Sequence, residues 1–243
     1  MARQLRSVLA GDLPRRALLL VWLPLIALSY FGILAVAASF CPQTYDWRRK
    51  AISKLLYPGY DPEFHRIASL GVALTGLLML PVAGYIRRRL RGVAPRVVQV
   101  GASALALGAV GLILAGLIVS HPIRGTSAFP WLHEILARTA AVALGAGVIA
   151  LWACATKAYL GLKRRCELRW LTISWTLVTL PALSIALLRA AAAARFHWSN
   201  PIYQMLESPA LWHLGLWEWL GSGAIFLFLL SAALFLPEYS PGD

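Results

Sequence analysis

Charge is scarce in this chain, and acid is scarcer than base. Only 14% of the 243 residues are Asp, Glu, Lys or Arg, and ten acids stand against 23 Lys and Arg. A soluble globular domain carries about a quarter charged residues, so an ordinary soluble fold is excluded. Cysteine is scarcer still. Cys41, Cys154 and Cys166 form no C-x-x-C pair, which rules out a disulfide framework and a structural zinc ribbon. Other signatures are missing too. There is no HExxH or HxxxH pair, no serine on a nucleophile elbow, and no internal repeat of the kind transporters carry.

What the chain has in quantity is apolar surface, at 59% of residues with ten tryptophans. A helix needs about twenty apolar residues to cross the hydrocarbon core. Six segments qualify, at 17–39, 66–86, 97–119, 136–159, 169–192 and 212–236. Backbone groups in lipid must be satisfied within the segment, so these read as helices. The expected fold is an all-α polytopic membrane protein: a basic lead-in over 1–16, a bundle of six transmembrane helices over 17–236, and a short tail over 237–243.

The basic residues are divided unequally, fourteen on one side and nine on the other, five of these near the first outer loop. Arg3, Arg6, Arg15 and Arg16, then Arg87, Arg88, Arg89, Arg91 and Arg96, then Lys157, Lys163, Arg164, Arg165 and Arg169 all fall on one side of such a bundle. The positive-inside bias places that side, and both termini, in the cytoplasm of a cell whose inner membrane holds the protein. These cations would orient the chain and meet anionic lipid heads, and no nucleic-acid module accompanies them. Ala35-Val36-Ala37 mimics a signal-peptidase site, but the preceding apolar run is too long for a signal peptide, so an uncleaved first helix is expected.

The opposite side holds all five histidines, His65, His121, His133, His197 and His213, with Asp46, Asp61, Glu63, Glu134, Glu207 and Glu218. That one-sided clustering makes the outer face the candidate site. In the first outer loop, Ile52, Leu55 and Leu56 share a helical face beside Arg48, Arg49 and Lys50, which suggests a short amphipathic helix at the lipid interface. Asp61-Pro62 then opens the second span, with His65 and Ser69 four apart on one face.

His133 and Glu134 open the fourth span. Glu134 and Arg138 have the spacing of an intrahelical ion pair, which accounts for them structurally but not for His133. Glu218 lies more than a turn inside the last apolar segment, where an acid is costly unless it faces the interior, water or a partner. Arg189 or Arg138 would be the structural partner. His213 is about 140° from Glu218 around the helix, so the two do not form a metal pair alone. The candidate general bases are therefore His133, His213, Glu218 and His65, with Ser53, Asp61, Glu134, Arg138, Arg189 and Trp217 around the substrate. If a divalent metal binds, His65, His133 and His213 are its expected ligands. Small residues at Ala104, Gly108, Gly111, Ala115 and Gly116, and at Ala141, Gly145 and Gly147, predict close packing of the third and fourth spans.

The run Tyr45-Asp46-Trp47, Ala51-Ile52-Ser53-Lys54-Leu55, Pro58 and Asp61-Pro62, ahead of a span bearing Gly71, resembles the first outer loop of the domain-of-unknown-function 998 proteins. It is also similar to the FRAG/DRAM/Sfk group of six-helix membrane proteins. Phe129-Pro130, His133 and Gly215-Leu216 with Glu218 continue the likeness. Those families usually carry an acid after the Ile-Ser pair, where Lys54 stands here, so no carboxylate role transfers to that position. The resemblance implies six helices and contact with lipid. Two functional classes follow. One is an outward His/Glu site that binds or modifies a lipid or amphiphile. The other is a non-catalytic scaffold or accessory subunit that meets a membrane-protein partner or a second copy through its Trp-rich rim. A small-molecule transporter ranks third, since intramembrane charges are few.

Overall fold

The computed structural model describes residues 7–8, 10–41, 45–120, 130–161 and 214–236. Among them every regular element is a helix, and five helices are long and apolar enough to cross a membrane. They are α1 (Arg15–Phe40), α2 (His65–Leu90), α3 (Pro95–Ser120), α4 (Pro130–Gly161) and α5 (Leu214–Phe235). Each overlays one of the expected apolar segments. The sixth expected segment, 169–192, lies outside the described residues.

Helices α1 to α4 extend past the apolar runs that mark them, and α5 lies within its run. α2 begins at His65 and keeps Arg87, Arg88 and Arg89 in its last turn, where cations complement the helix C-terminus. Pro81 sits inside α2 and leaves one carbonyl of the preceding turn without its donor. α1 carries two wider turns, Leu18–Trp22 and Leu28–Gly32, in which the Leu23 N–H reaches the Leu18 carbonyl and the Ile33 N–H the Leu28 carbonyl. Each inserted residue rotates the face presented beyond it. The second brings Ser29 against α2, where its hydroxyl is 2.8 Å from that of Thr75 in a buried contact.

The expected approach of the third and fourth spans is present. A Cβ on Gly108 would lie 2.5 Å from a Leu144 side-chain carbon, and one on Gly147 would lie 2.7 Å from the Leu105 backbone nitrogen. Helices without side chains at such points gain dispersion contacts that lipid cannot replace. α2 packs on α1, α3 and α5, and the largest apolar cluster joins Leu23 and Ile26 of α1 to Tyr85 and Ile86 of α2, Leu105 of α3, Leu151 of α4 and Phe228 of α5.

The two ends of the bundle differ. At one end, which we call the arginine end, the α2–α3 turn lies near the segment before α1. Gly11 adopts φ 82°, and a Cβ there would meet the Gly84 carbonyl carbon at 2.1 Å. Asp12 accepts from Arg88 at 2.7 Å, and Arg15 Nε donates to the Ala233 carbonyl near the end of α5 at 2.9 Å. At the other, the loop end, residues 45–64 fold over the tops of α1, α2 and α5.

Where a short amphipathic interfacial helix is expected, residues Ile52–Leu56 form a 3-10 helix of five residues. Ile52, Leu55 and Leu56 are buried against Leu34 and Ala37 of α1 and Ala68 and Val72 of α2. The shared apolar face anticipated from spacing is real, but it is covered by protein rather than by lipid.

Candidate functional site

The loop end is built from short-range turns that the sequence encodes locally. Asp46 organises the first: its carbonyl accepts from the Arg49 and Lys50 amides and its Oδ1 from the Arg48 amide at 3.0 Å. Its ion pair with Arg49, at 3.6 Å and exposed, adds little. The turn then lies directly on α5. A Cβ on Gly215 would be 2.2 Å from the Lys50 carbonyl oxygen, so only glycine admits the loop at this distance. The Leu216 amide donates to the Arg48 carbonyl at 3.2 Å.

Glu218 completes this attachment. Its Oε2 accepts the Ile52 N–H at 2.5 Å. That amide opens the 3-10 helix and has no acceptor inside it, so the carboxylate supplies what the local fold cannot. One turn away in function but adjacent in space, the Tyr45 hydroxyl donates to the Lys50 carbonyl at 3.0 Å and accepts from Trp219 Nε1–H at 3.4 Å. Burial pushes the Tyr45 phenol up to about 12, with the Glu218 charge adding to the shift and the Trp219 hydrogen bond opposing it. Lys50 Nζ donates to the Tyr60 hydroxyl, and its ammonium lies 4.7 Å from the Tyr60 ring centroid. Phe40 and Phe64 stack at 4.9 Å and close the α1 side.

Beneath this loop a polar stripe runs down α2. Asp61, His65 and Ser69 follow at intervals of four and are all buried; Asp61 and Ser69 are 0% exposed. Asp61 Oδ1 caps the turn into α2 by accepting the Phe64 amide at 3.0 Å. His65 Nδ1 lies 2.9 Å from the Asp61 carbonyl and 3.1 Å from the Pro62 carbonyl. Carbonyls only accept, so Nδ1 carries a proton, and in the neutral ring Nε2 is the acceptor. Asp61 Oδ2 and Ser69 Oγ have no hydrogen-bond partner among the described residues. A buried polar atom left so costs about 1–3 kcal/mol, and more when charged.

The sequence candidates therefore separate. His65, Asp61 and Ser69 share one stripe, and Ser53 is half-buried in the loop above. Glu218 reaches the same loop as the acceptor for the Ile52 amide. His133 lies on α4, with Nδ1 3.3 Å from the Ala115 carbonyl of α3. Arg138 is exposed on α4, and Trp217 is half-buried on α5. Arg189, His121, His197, His213 and Glu207, together with the Glu134 side chain, lie outside the described residues. The Ser69 hydroxyl is not bonded to His65, so no nucleophile–base pair is formed there. Among the described residues no three of His, Cys, Asp and Glu gather as metal ligands.

Tyr60 and the closeness of Gly215 to the loop carry no expectation from the sequence, and Lys50, expected on a cationic edge, meets Tyr60. The signal for that closeness was available in Gly215-Leu216 at the head of a span, where glycine marks a close approach by backbone. Nothing local marks the Ile52 amide as needing a distant acceptor.

A family model described as protein of unknown function (DUF998) matches residues 24–235, and the chain belongs to that family. No curated protein and no solved structure matches it.

Proposed function

We propose that this DUF998 chain is a membrane protein that binds the head of an amphiphile at its loop end, with Asp61, His65 and Ser69 as the polar contacts. The observation that carries this reading is the pair of buried atoms, Asp61 Oδ2 and Ser69 Oγ, that no described residue satisfies. Their chemistry defines what they would take. A carboxylate oxygen accepts, the His65 Nε2 lone pair accepts, and a serine hydroxyl does either. The complementary head presents hydrogen-bond donors, namely hydroxyls or an ammonium.

The apolar remainder of the ligand would lie along α2 and its neighbours, as expected for a site at the end of a helix bundle. The loop, held on α5 by Glu218 and Gly215, is the element that must shift for entry. Glu218 is then a positioning residue that keeps the loop closed, and His65 Nε2 is the candidate base if the bound head is also chemically altered. In this reading the sixth span is the segment 169–192, the loop end faces outward, and the arginine end and both termini are cytoplasmic. The excess of Arg and Lys on that side, fourteen against nine, supports that orientation.

The test is the lipid and detergent content of purified protein measured by native mass spectrometry. Asp61→Asn combined with Ser69→Ala should lose a bound amphiphile with a hydroxylated or amino head that wild type retains. Arg88→Gln, at the other end, should keep it. Identical bound species in wild type and the double variant would remove the site.

A further inference from the structure

The arginine end carries a second site, independent of the first. The turn 91–94 joins α2 to α3, and a cavity of about 480 Å³ opens beside it, lined by Arg87, Arg91, Arg96 and Gln99 among others. A second cavity of about 280 Å³ is lined by Leu80, Ala83, Gly84 and Arg87 of α2 and Ala102, Ser103 and Ala106 of α3. Arg87 borders both.

Periodicity places the two cavities along one side of the α2–α3 pair. Residues 80, 83, 84, 87 and 91 fall at helical spacing on one face of α2, and 95, 99, 102, 103 and 106 do the same on α3. The two helices run antiparallel, so these faces form one cleft. It begins among cations at the turn and continues between small, mostly apolar residues into the span. From Arg87 to Leu80 is seven residues, or about 10 Å along the helix.

The cations of this cleft are uncommitted. Arg88 is taken by Asp12, and Arg89 lies over the Tyr85 ring at 4.7 Å. The side chains of Arg87, Arg91 and Arg96 have no ion pair or hydrogen bond among the described residues. The start of α3 adds to the field, because the Arg96 and Val97 amides have no acceptor within their own helix. Gln99 Nε2 donates to Ser103 Oγ at 3.2 Å, so a neutral polar step separates the guanidinium groups from the apolar part.

We propose that this cleft binds an anionic phospholipid, with its phosphate held by Arg87, Arg91 and Arg96 and one acyl chain lying between α2 and α3. Planar guanidinium groups pair with phosphate oxygens through two parallel hydrogen bonds, and a groove of small residues admits a chain where bulky ones would not. Charge alone would be served anywhere on this surface. The junction of a three-arginine pocket with an apolar groove specifies a lipid and a position.

The protein is placed in nanodiscs of equal phosphatidylglycerol and phosphatidylcholine, and retained lipid is counted by native mass spectrometry on gentle ejection. Wild type should retain phosphatidylglycerol in preference. Arg87→Gln, Arg91→Gln and Arg96→Gln together should weaken that retention by about a hundredfold, the scale of losing charge-assisted hydrogen bonds to one phosphate. Arg16→Gln, Arg66→Gln and Lys157→Gln together remove the same charge elsewhere and should leave it within about threefold. Equal losses in the two triple variants would overturn the site in favour of a diffuse charge effect. Ser103→Phe fills the groove while keeping every cation, and should also release the lipid; full retention there would overturn the acyl-chain part of the assignment. Millimolar inorganic phosphate should not displace the lipid. Displacement by it would identify a site for free phosphate instead.

Discussion

The two ends of this bundle hold opposite kinds of unmet polar capacity. At the loop end Asp61 Oδ2 and Ser69 Oγ are fully buried under a folded segment without a partner among the described residues, on the stripe that carries His65. At the arginine end the side chains that line the cleft are donors, exposed to solvent: Arg87, Arg91 and Arg96. Cost explains the difference. A long cation can extend to water and needs no partner in the fold, whereas a buried acid cannot. Exposed arginine is thus a cheap recognition element, and buried Asp61 is a costly one that the loop and its attachments must offset.

Breaking the loop's attachment is expected to give the largest effect. Gly215→Val places side-chain carbon where the Lys50 carbonyl now sits, and should cost about 3 kcal/mol by forcing the two backbones apart. A thermal unfolding scan in detergent reads this directly. The same substitution at Gly92, which has no neighbour within 4 Å, should cost less than about 1 kcal/mol.

Removing the acceptor of the Ile52 amide comes next. Glu218→Ala should cost about 2 kcal/mol, the penalty for leaving a buried amide unsatisfied. Glu218→Gln keeps an oxygen in reach and should recover at least half of it. If Gln is as damaging as Ala, the negative charge matters in a way a single hydrogen bond does not explain.

Tyr45 sharpens the comparison through pH. Its phenol is raised to about 12 in the folded chain, against the ordinary 10. The folded state therefore holds the proton more tightly, so the stability Tyr45 contributes is fully present below pH 10. It is lost as pH rises toward about 12. Difference absorbance of wild type against Tyr45→Phe should show the missing ionisation near pH 12; a midpoint near 10 would mean the hydroxyl is open to water.

The smallest effect belongs to the arginine end. Arg88→Gln removes an ion pair whose side chains are 46% and 61% exposed, and should change stability by less than about 0.5 kcal/mol. A loss comparable to that of Glu218→Ala would erase the contrast between the two ends.

The parts of this arrangement legible beforehand are those with a local cause. Apolar runs located α1 to α5 because lipid enforces length and composition together. Asp61-Pro62 announced the start of α2, and the glycines of α3 and α4 announced a close crossing. Glu218 stood out as an acid within a span, but its partner did not. A charge invites a search for the opposite charge, and the group that meets it here is a neutral amide 166 residues away in sequence. The loop helix shows the same gap, since spacing reveals that Ile52, Leu55 and Leu56 share a face but not what covers it. The arginine cleft was hidden for another reason: arginines beside a span report orientation first, and only the antiparallel pairing of α2 with α3 shows three of them facing one groove.

The opposition of the two ends can be tested in one binding measurement. An alkyl ammonium and an alkyl phosphate of equal chain length are titrated against wild type, the Asp61→Asn/Ser69→Ala variant, and the Arg87→Gln/Arg91→Gln/Arg96→Gln variant. The first variant should lose the ammonium ligand and keep the phosphate one, and the second should do the reverse. Both ligands weakening together in either variant would contradict the opposition of the two ends.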